Sequence, residues 1–127
     1  MLKKLLLLLA VTLMSISAAD NRVFELRTYH CYEGKLPDLM ARFRNHTTRI
    51  FEKHGMTNIG YWVPQDQKNT LTYILAFPSR DAAKAAWAEF GKDPEWVKVK
   101  TESEANGKIV EKVDSVFMDP ADFSKIK

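Results

Sequence analysis

Cysteine is almost missing from this chain: Cys31 is the single one in 127 residues. A disulfide framework needs cysteines in pairs, so the fold does not rest on covalent staples. In an oxidising compartment a lone thiol is either buried or paired between chains, and burial at the end of a strand is expected for Cys31. No apolar run reaches the roughly 20 residues that span a bilayer; the longest, Leu5–Met14, is half that. A marked charge excess is also lacking. The 19 basic residues face 16 acidic ones. Lys3 and Lys4 belong to the N-terminal leader described below, which leaves 17 against 16, a net of +1. Without a Lys/Arg run or a Gly-rich arm, nucleic acid is not an expected partner. The chain has no CxxCH, nucleophile elbow, phosphate loop or Rossmann glycine pattern.

The N-terminus carries an export signal. Lys3-Lys4 precede the apolar stretch Leu5–Met14, and small residues stand at Ser17 and Ala19. These are the n-region, h-region and cleavage site of a secretory leader. Residues 1–19 are therefore expected to be removed between Ala19 and Asp20, delivering a periplasmic or secreted protein. With no cysteine at the cleavage point, no lipid anchor and no stable membrane anchor are expected. Residues 20–127 form one domain, large enough to bury roughly two-thirds of its unfolded surface.

Val23–Cys31 (VFELRTYHC) is rich in β-branched and aromatic residues and reads as a strand. Its alternation puts Phe24, Leu26 and Thr28 on one face and Glu25, Arg27 and Tyr29 on the other. Pro37 opens a helix in which Leu36, Leu39, Met40, Phe43, Thr47, Ile50, Phe51 and His54 form one stripe. Arg42, Asn45, Arg49 and Glu52 are placed away from that stripe. Gly55 ends the helix. Met56–Val63 is a second strand, with Ile59, Tyr61 and Val63 on one face and Met56 and Trp62 on the other. Thr70–Phe77 is a third strand, apolar on both faces. Ser79 caps a helix with Ala83, Trp87 and Phe90 buried. Asp93-Pro94 caps another that runs to Asn106-Gly107. Ile109–Met118 is the last strand, and the tail to Lys127 is read as loosely held.

The order β-α-β-β-α-β predicts an α+β, ferredoxin-like domain, a four-stranded antiparallel sheet with helices on one face. One sheet face is then left uncovered although the second and third strands are apolar on both sides. Such a patch is best buried against a copy of itself. A homodimer with a barrel-like interior is therefore expected; the alternative is a monomer whose tail, residues 119–127, covers the face.

Glu25, Arg27 and Tyr29 are the candidates for polar chemistry. Same-face neighbours on a strand lie about 7 Å apart, so an ion pair flanked by a phenol is feasible. If that face lines the barrel interior, Arg27 could grip a carboxylate. The plainer reading is a mutually satisfied network that fixes dimer register. Tyr61, Trp62, Tyr73 and Trp96 are candidate pocket walls, though aromatics at such spacings are ordinarily core. No metal is expected. His46 and His54 are about 12 Å apart along one helix, and adjacent His30 and Cys31 point to opposite faces. No cofactor is expected either, although a single axial histidine to haem leaves no spacing signature. Asn45-His46-Thr47 matches a glycosylation sequon within a helix.

Several blocks resemble the NIPSNAP family. They are Val-Phe-Glu-Leu-Arg-Thr-Tyr at 23–29, Gly34-Lys35-Leu36-Pro37, Phe51-Glu52-Lys53-His54-Gly55-Met56, Gly60-Tyr61-Trp62-Val63-Pro64 and Asp93-Pro94-Glu95-Trp96. The similarity covers roughly residues 22–118. It implies a dimeric α/β barrel, in which ferredoxin-like domains pair sheet to sheet, and it implies little chemistry. Related barrel families include haem-dependent chlorite-dismutase-like enzymes and cofactor-free monooxygenases, an analogy of fold alone. Two functions follow as expectations. The first is an exported homodimeric module that binds a small apolar or aromatic ligand, or a protein partner. The second is a cofactor-free oxygenase or isomerase acting on an aromatic or polyketide-like substrate in the barrel cavity.

Overall fold

The computed structural model describes residues 22–127. The leader assigned to residues 1–19 lies outside the described residues. Within residues 22–127 no helix is long and apolar enough to cross a membrane.

Strand β1 (Val23–Cys31) leads into α1 (Leu36–Arg42), a π-helical turn (Phe43–Thr47) and α2 (Thr48–Lys53). The hairpin β2 (Thr57–Trp62) and β3 (Thr70–Phe77) follows, then α3 (Arg80–Lys92), α4 (Pro94–Ser103) and β4 (Val110–Met118). The sheet order is β2-β3-β1-β4, with every neighbouring pair antiparallel. This is the expected βαββαβ arrangement. Leu39, Ile50, Phe51, Tyr73, Leu75 and Ala83 are buried between the sheet and the helices. Cys31 is buried with them at the end of β1, as its composition led one to expect.

The capping residues do what their chemistry prescribes. Ser79 Oγ accepts the backbone N–H of Ala82 at 3.0 Å and starts α3. Asp93 starts α4 by accepting the N–H of Glu95 at 2.9 Å, and it also receives Lys53 at 2.8 Å and His54 at 2.7 Å. One carboxylate thus ties the end of α2 to the start of α4. The hydrogen bonds from Lys53, His54 and the Glu95 backbone hold the Asp93 carboxyl well below its ordinary value of 3.8. A carboxyl depressed in the folded state adds stability that is complete above the ordinary value and is lost as pH falls toward the folded one. Melting temperatures measured from pH 5 downward should therefore fall with a steeper slope in the native protein than in Asp93→Asn. Parallel curves would contradict this.

Three details depart from the sequence reading. The first helix is not uniform: Phe43–Thr47 is wound as a π turn. The Thr47 hydroxyl donates to the Arg42 carbonyl at 3.3 Å and the Thr48 hydroxyl to the Phe43 carbonyl at 3.1 Å, supporting the looser turn. Arg42, placed away from the apolar stripe, is buried. It lies three residues after Leu39, hence on the same side of the helix. The faces of β2 also differ. The register shifts between Asn58 and Gly60, so Tyr61 pairs with Tyr73 and turns toward the helices. Ile59 is thrown to the opposite face, beside Trp62. There Trp62 folds back over Gly60, where a Cβ atom would meet its ring at 2.5 Å.

The other sheet face carries no helix. Phe24, Leu26, Ile74, Trp62 and Val116 occupy one half of it, and His30, Lys112 and Asp114 the other. Residues 119–127 do not hang free. They lie against Phe24, Ile59 and Ile74, and the Lys127 carbonyl accepts Arg22 Nε at 2.8 Å.

Candidate functional site

Glu25, Arg27 and Tyr29 do share a face, and it is the face beneath the helices. The open face is on the other side of the sheet, so this group does not line a sheet-to-sheet interior and cannot fix the register of such a dimer. It forms a buried polar core. Glu25 is 1% exposed and accepts three bonds. Arg27 donates at 2.7 Å, Trp87 Nε1 at 2.6 Å and Ser115 Oγ at 2.6 Å. Arg27 Nε donates to the Tyr73 hydroxyl at 2.9 Å, and its Nη2 to the Tyr29 hydroxyl at 3.3 Å. The Tyr73 hydroxyl donates in turn to Tyr29 at 2.9 Å. The guanidinium lies 4.1 Å from the Trp87 ring centroid, a cation–π contact.

Each element supplies its part through ordinary geometry. Period-two alternation brings three side chains from β1 to one face. Cross-strand pairing puts Tyr73 of β3 and Ser115 of β4 on either side of Arg27. Helix α3 lowers Trp87 onto them. Burial by itself would push the Arg27 guanidinium down, but Tyr29, Tyr73 and Glu25 outweigh it and hold it above its ordinary range. Burial raises the Tyr73 hydroxyl well above the usual tyrosine range, and neighbouring Tyr29 adds to this. Chemically, the cluster's carboxylate is engaged by three donors and its buried phenol is far from ionising, so it has no free base.

The remaining candidates divide. Tyr61 stacks on Tyr73 with ring centroids 5.1 Å apart, and burial pushes its hydroxyl up. Trp96, on α4, packs 4.6 Å from Phe90. Trp62 is on the opposite face and 52% exposed. Among the described residues no group of three or more His, Cys, Asp or Glu side chains is placed to hold a metal.

Sequence reasoning had put Trp87 in the core stripe of α3 without its role as a donor, and it did not place Ser115 or Arg42 in any site. Pairing register decides Ser115. The spacing Leu39–Arg42 was the available signal for Arg42, which lies over the Trp96 ring at 5.2 Å. Here burial wins, and it lowers the guanidinium below its ordinary range, with Glu104 offsetting part of the effect.

Comparison with other proteins agrees with this architecture. No curated protein matches the chain. Among solved structures, a NIPSNAP family protein of unknown function from Agrobacterium tumefaciens is 24% identical, with 86% of this chain and 96% of that one covered and a TM-score of 0.74. An uncharacterised NIPSNAP domain protein from Burkholderia xenovorans is 22% identical, with 80% and 97% covered and a TM-score of 0.69. A variant of SnoaB, a cofactor-independent oxygenase from Streptomyces nogalater, is 16% identical, with 84% and 99% covered and a TM-score of 0.59. At these identities the likeness is one of fold. A sequence model of the NIPSNAP family matches residues 24–125. With that match running from the first strand into the tail, over the fold just described, the chain belongs to the NIPSNAP family.

Proposed function

We propose that this protein is an exported, homodimeric binding module that holds a small apolar or aromatic molecule, or a protein partner, without transforming it. The observation that carries the reading is the apolar surface of the open sheet face. Val116 is 54% exposed and Trp62 52%, and the tail, while it covers part of the face beside Phe24, presents apolar surface of its own, with Phe123 88% and Ile126 55% exposed. Isolated exposed apolar residues are common, but a contiguous set on one face marks an interaction surface. Four strands about 4.8 Å apart and roughly 26 Å long present about 500 Å² in plan. Side-chain relief and the tail bring this toward the roughly 800 Å² per partner of a standard interface. A second copy is the occupant that covers the same patch on both partners at once.

Sedimentation equilibrium at micromolar concentration should return the mass of two chains. Val116→Glu, which changes an exposed position only, should return one chain with an unaltered circular dichroism spectrum. A native mass of a single chain would overturn the dimer. Native mass spectrometry of protein purified from its own host reads the cargo in the same sample.

The second reading, a cofactor-free oxygenase or isomerase acting on an aromatic or polyketide-like substrate, draws support from the fold likeness to SnoaB. Against it stands Glu25, which would have to break three hydrogen bonds before accepting a proton. Turnover with a pH dependence abolished by Glu25→Gln or Tyr29→Phe would favour the enzyme.

A further inference from the structure

Arg42 is a buried cation without a full set of partners. Its side chain is 4% exposed. Among the described residues its Nε is the buried side-chain polar atom with no hydrogen-bond partner. Its Nη1 reaches Ser103 Oγ at 3.3 Å and Glu104 at 3.7 Å. Both are long for charge-assisted contacts, which close to about 2.7–2.9 Å. Taking a guanidinium out of water costs several kcal/mol unless its hydrogen bonds are replaced. Arg27, by contrast, has a partner on each of its three nitrogens. The two buried arginines of this domain are therefore different objects: one is satisfied from within, and the other is incomplete.

A groove of about 310 Å³ opens onto Arg42 between α4 and β4. It exists because the helices leave β4 bare, its residues 111–116 being exposed. Tyr29 and Trp96 supply aromatic surface and Val110 and Val113 aliphatic surface. Around them stand Lys100, Lys108 and Lys112, against Glu104 and Glu111. Lys112 is paired with Asp114 at 3.4 Å, so Arg42, Lys100 and Lys108 make three positive charges to two negative, a net of +1. A second groove that Arg42 also borders is edged by Asp38 and Glu102 and has no such excess.

We propose that the α4–β4 groove binds a small aromatic carboxylate, its carboxylate on Nη2 of Arg42 and its ring against Tyr29 and Trp96. Nε has no accessible surface, so Nη2, which makes no hydrogen bond among the described residues, is the donor left to give a charge-assisted bond to a carboxylate. Aromatic and aliphatic walls select an apolar body over a bare inorganic anion. At about 30 Å³ per water-sized group, the volume admits roughly ten such groups, which sets the ligand at one ring and a short acid arm. The lysines near the mouth steer an anion inward and leave the final charge pairing to Arg42. The inference rests on reading the chain as a ligand-holding module, but it does not need the dimer.

The test is titration calorimetry of the mature protein with benzoate, phenylacetate and inorganic phosphate, with the indole N–H of Trp96 followed by NMR. The aromatic acids should bind and shift the Trp96 signal, with phosphate weaker. Arg42→Met keeps an unbranched chain of similar length and should lose at least tenfold in affinity while remaining folded. Lys108→Glu, at an exposed position, should weaken binding several-fold and reduce its dependence on salt. Unchanged affinity in Arg42→Met, phosphate binding more tightly than both acids, or no binding of either acid at millimolar concentration would each overturn the proposal. Binding by a chain that sediments as a monomer supports this site while refuting the dimer. A dimer carrying neutral cargo and ignoring both acids preserves the module and refutes the site.

Discussion

Glu25→Ala is expected to remove about 3–5 kcal/mol of unfolding free energy, the usual cost of leaving one member of a buried ion pair without its partner. Three donors converge on the Glu25 carboxylate from three elements: Arg27 of β1, Trp87 of α3 and Ser115 of β4. Truncation orphans all of them at once. The Arg27 side chain is only 16% exposed, so water can reach little of the vacated space. Domains of this size are stable by about 5–15 kcal/mol, so the variant should be marginal at 37 °C. Glu25→Gln keeps the shape but sets an amide N–H₂ against one of the donors, and it should fall between the two. Urea unfolding of the three proteins decides the matter. A loss below about 1 kcal/mol in Glu25→Ala would mean that the network is incidental to the fold.

Arg42→Met should not lower stability and should raise it by up to about 4 kcal/mol, the upper end of what is found when a whole buried ion pair gives way to apolar residues of similar volume. Two buried arginines about the same sheet thus invite opposite outcomes, and the difference lies in their partners. The Glu104 carboxylate that Arg42 would leave behind is 23% exposed and 3.7 Å away, so it can be rehydrated cheaply. The Nε that lacks a partner disappears with the substitution. A cation whose removal stabilises the fold has been kept at a cost, the pattern found where function and stability compete. Thermal unfolding of Arg42→Met checks this without any ligand. A fall in melting temperature would show that Ser103, Glu104 and Trp96 satisfy Arg42 better than their distances indicate.

Much of the fold was legible in the amino-acid order because its signals are local. Alternation in Val23–Cys31, the 3-4 spacing that follows Pro37, and the caps Ser79 and Asp93 each depend on residues within one or two turns of chain. From them the βαββαβ order follows, and with it a sheet with one bare face. The family was legible in the same way, from short blocks in a fixed order. Even the composition of the polar cluster was half visible, since Glu25, Arg27 and Tyr29 must share a face in any strand.

Which face that would be was a tertiary decision. The sequence reading tied the cluster to a sheet-to-sheet interior, but packing of Trp87 from α3 assigns it to the helix side. Its two missing partners come from residues 62 and 90 positions away in the chain, and no local pattern announces them. The bulge at Ile59 is of the same kind, because a strand's period of two cannot reveal where one residue will be skipped. Arg42 shows the limit most clearly. By composition it is a surface charge, and only the descent of α4 onto α1 turns it into a buried one. Local propensity determined the elements of this protein, while burial, which depends on what lands on top of a residue, decided which of its charges have work left to do.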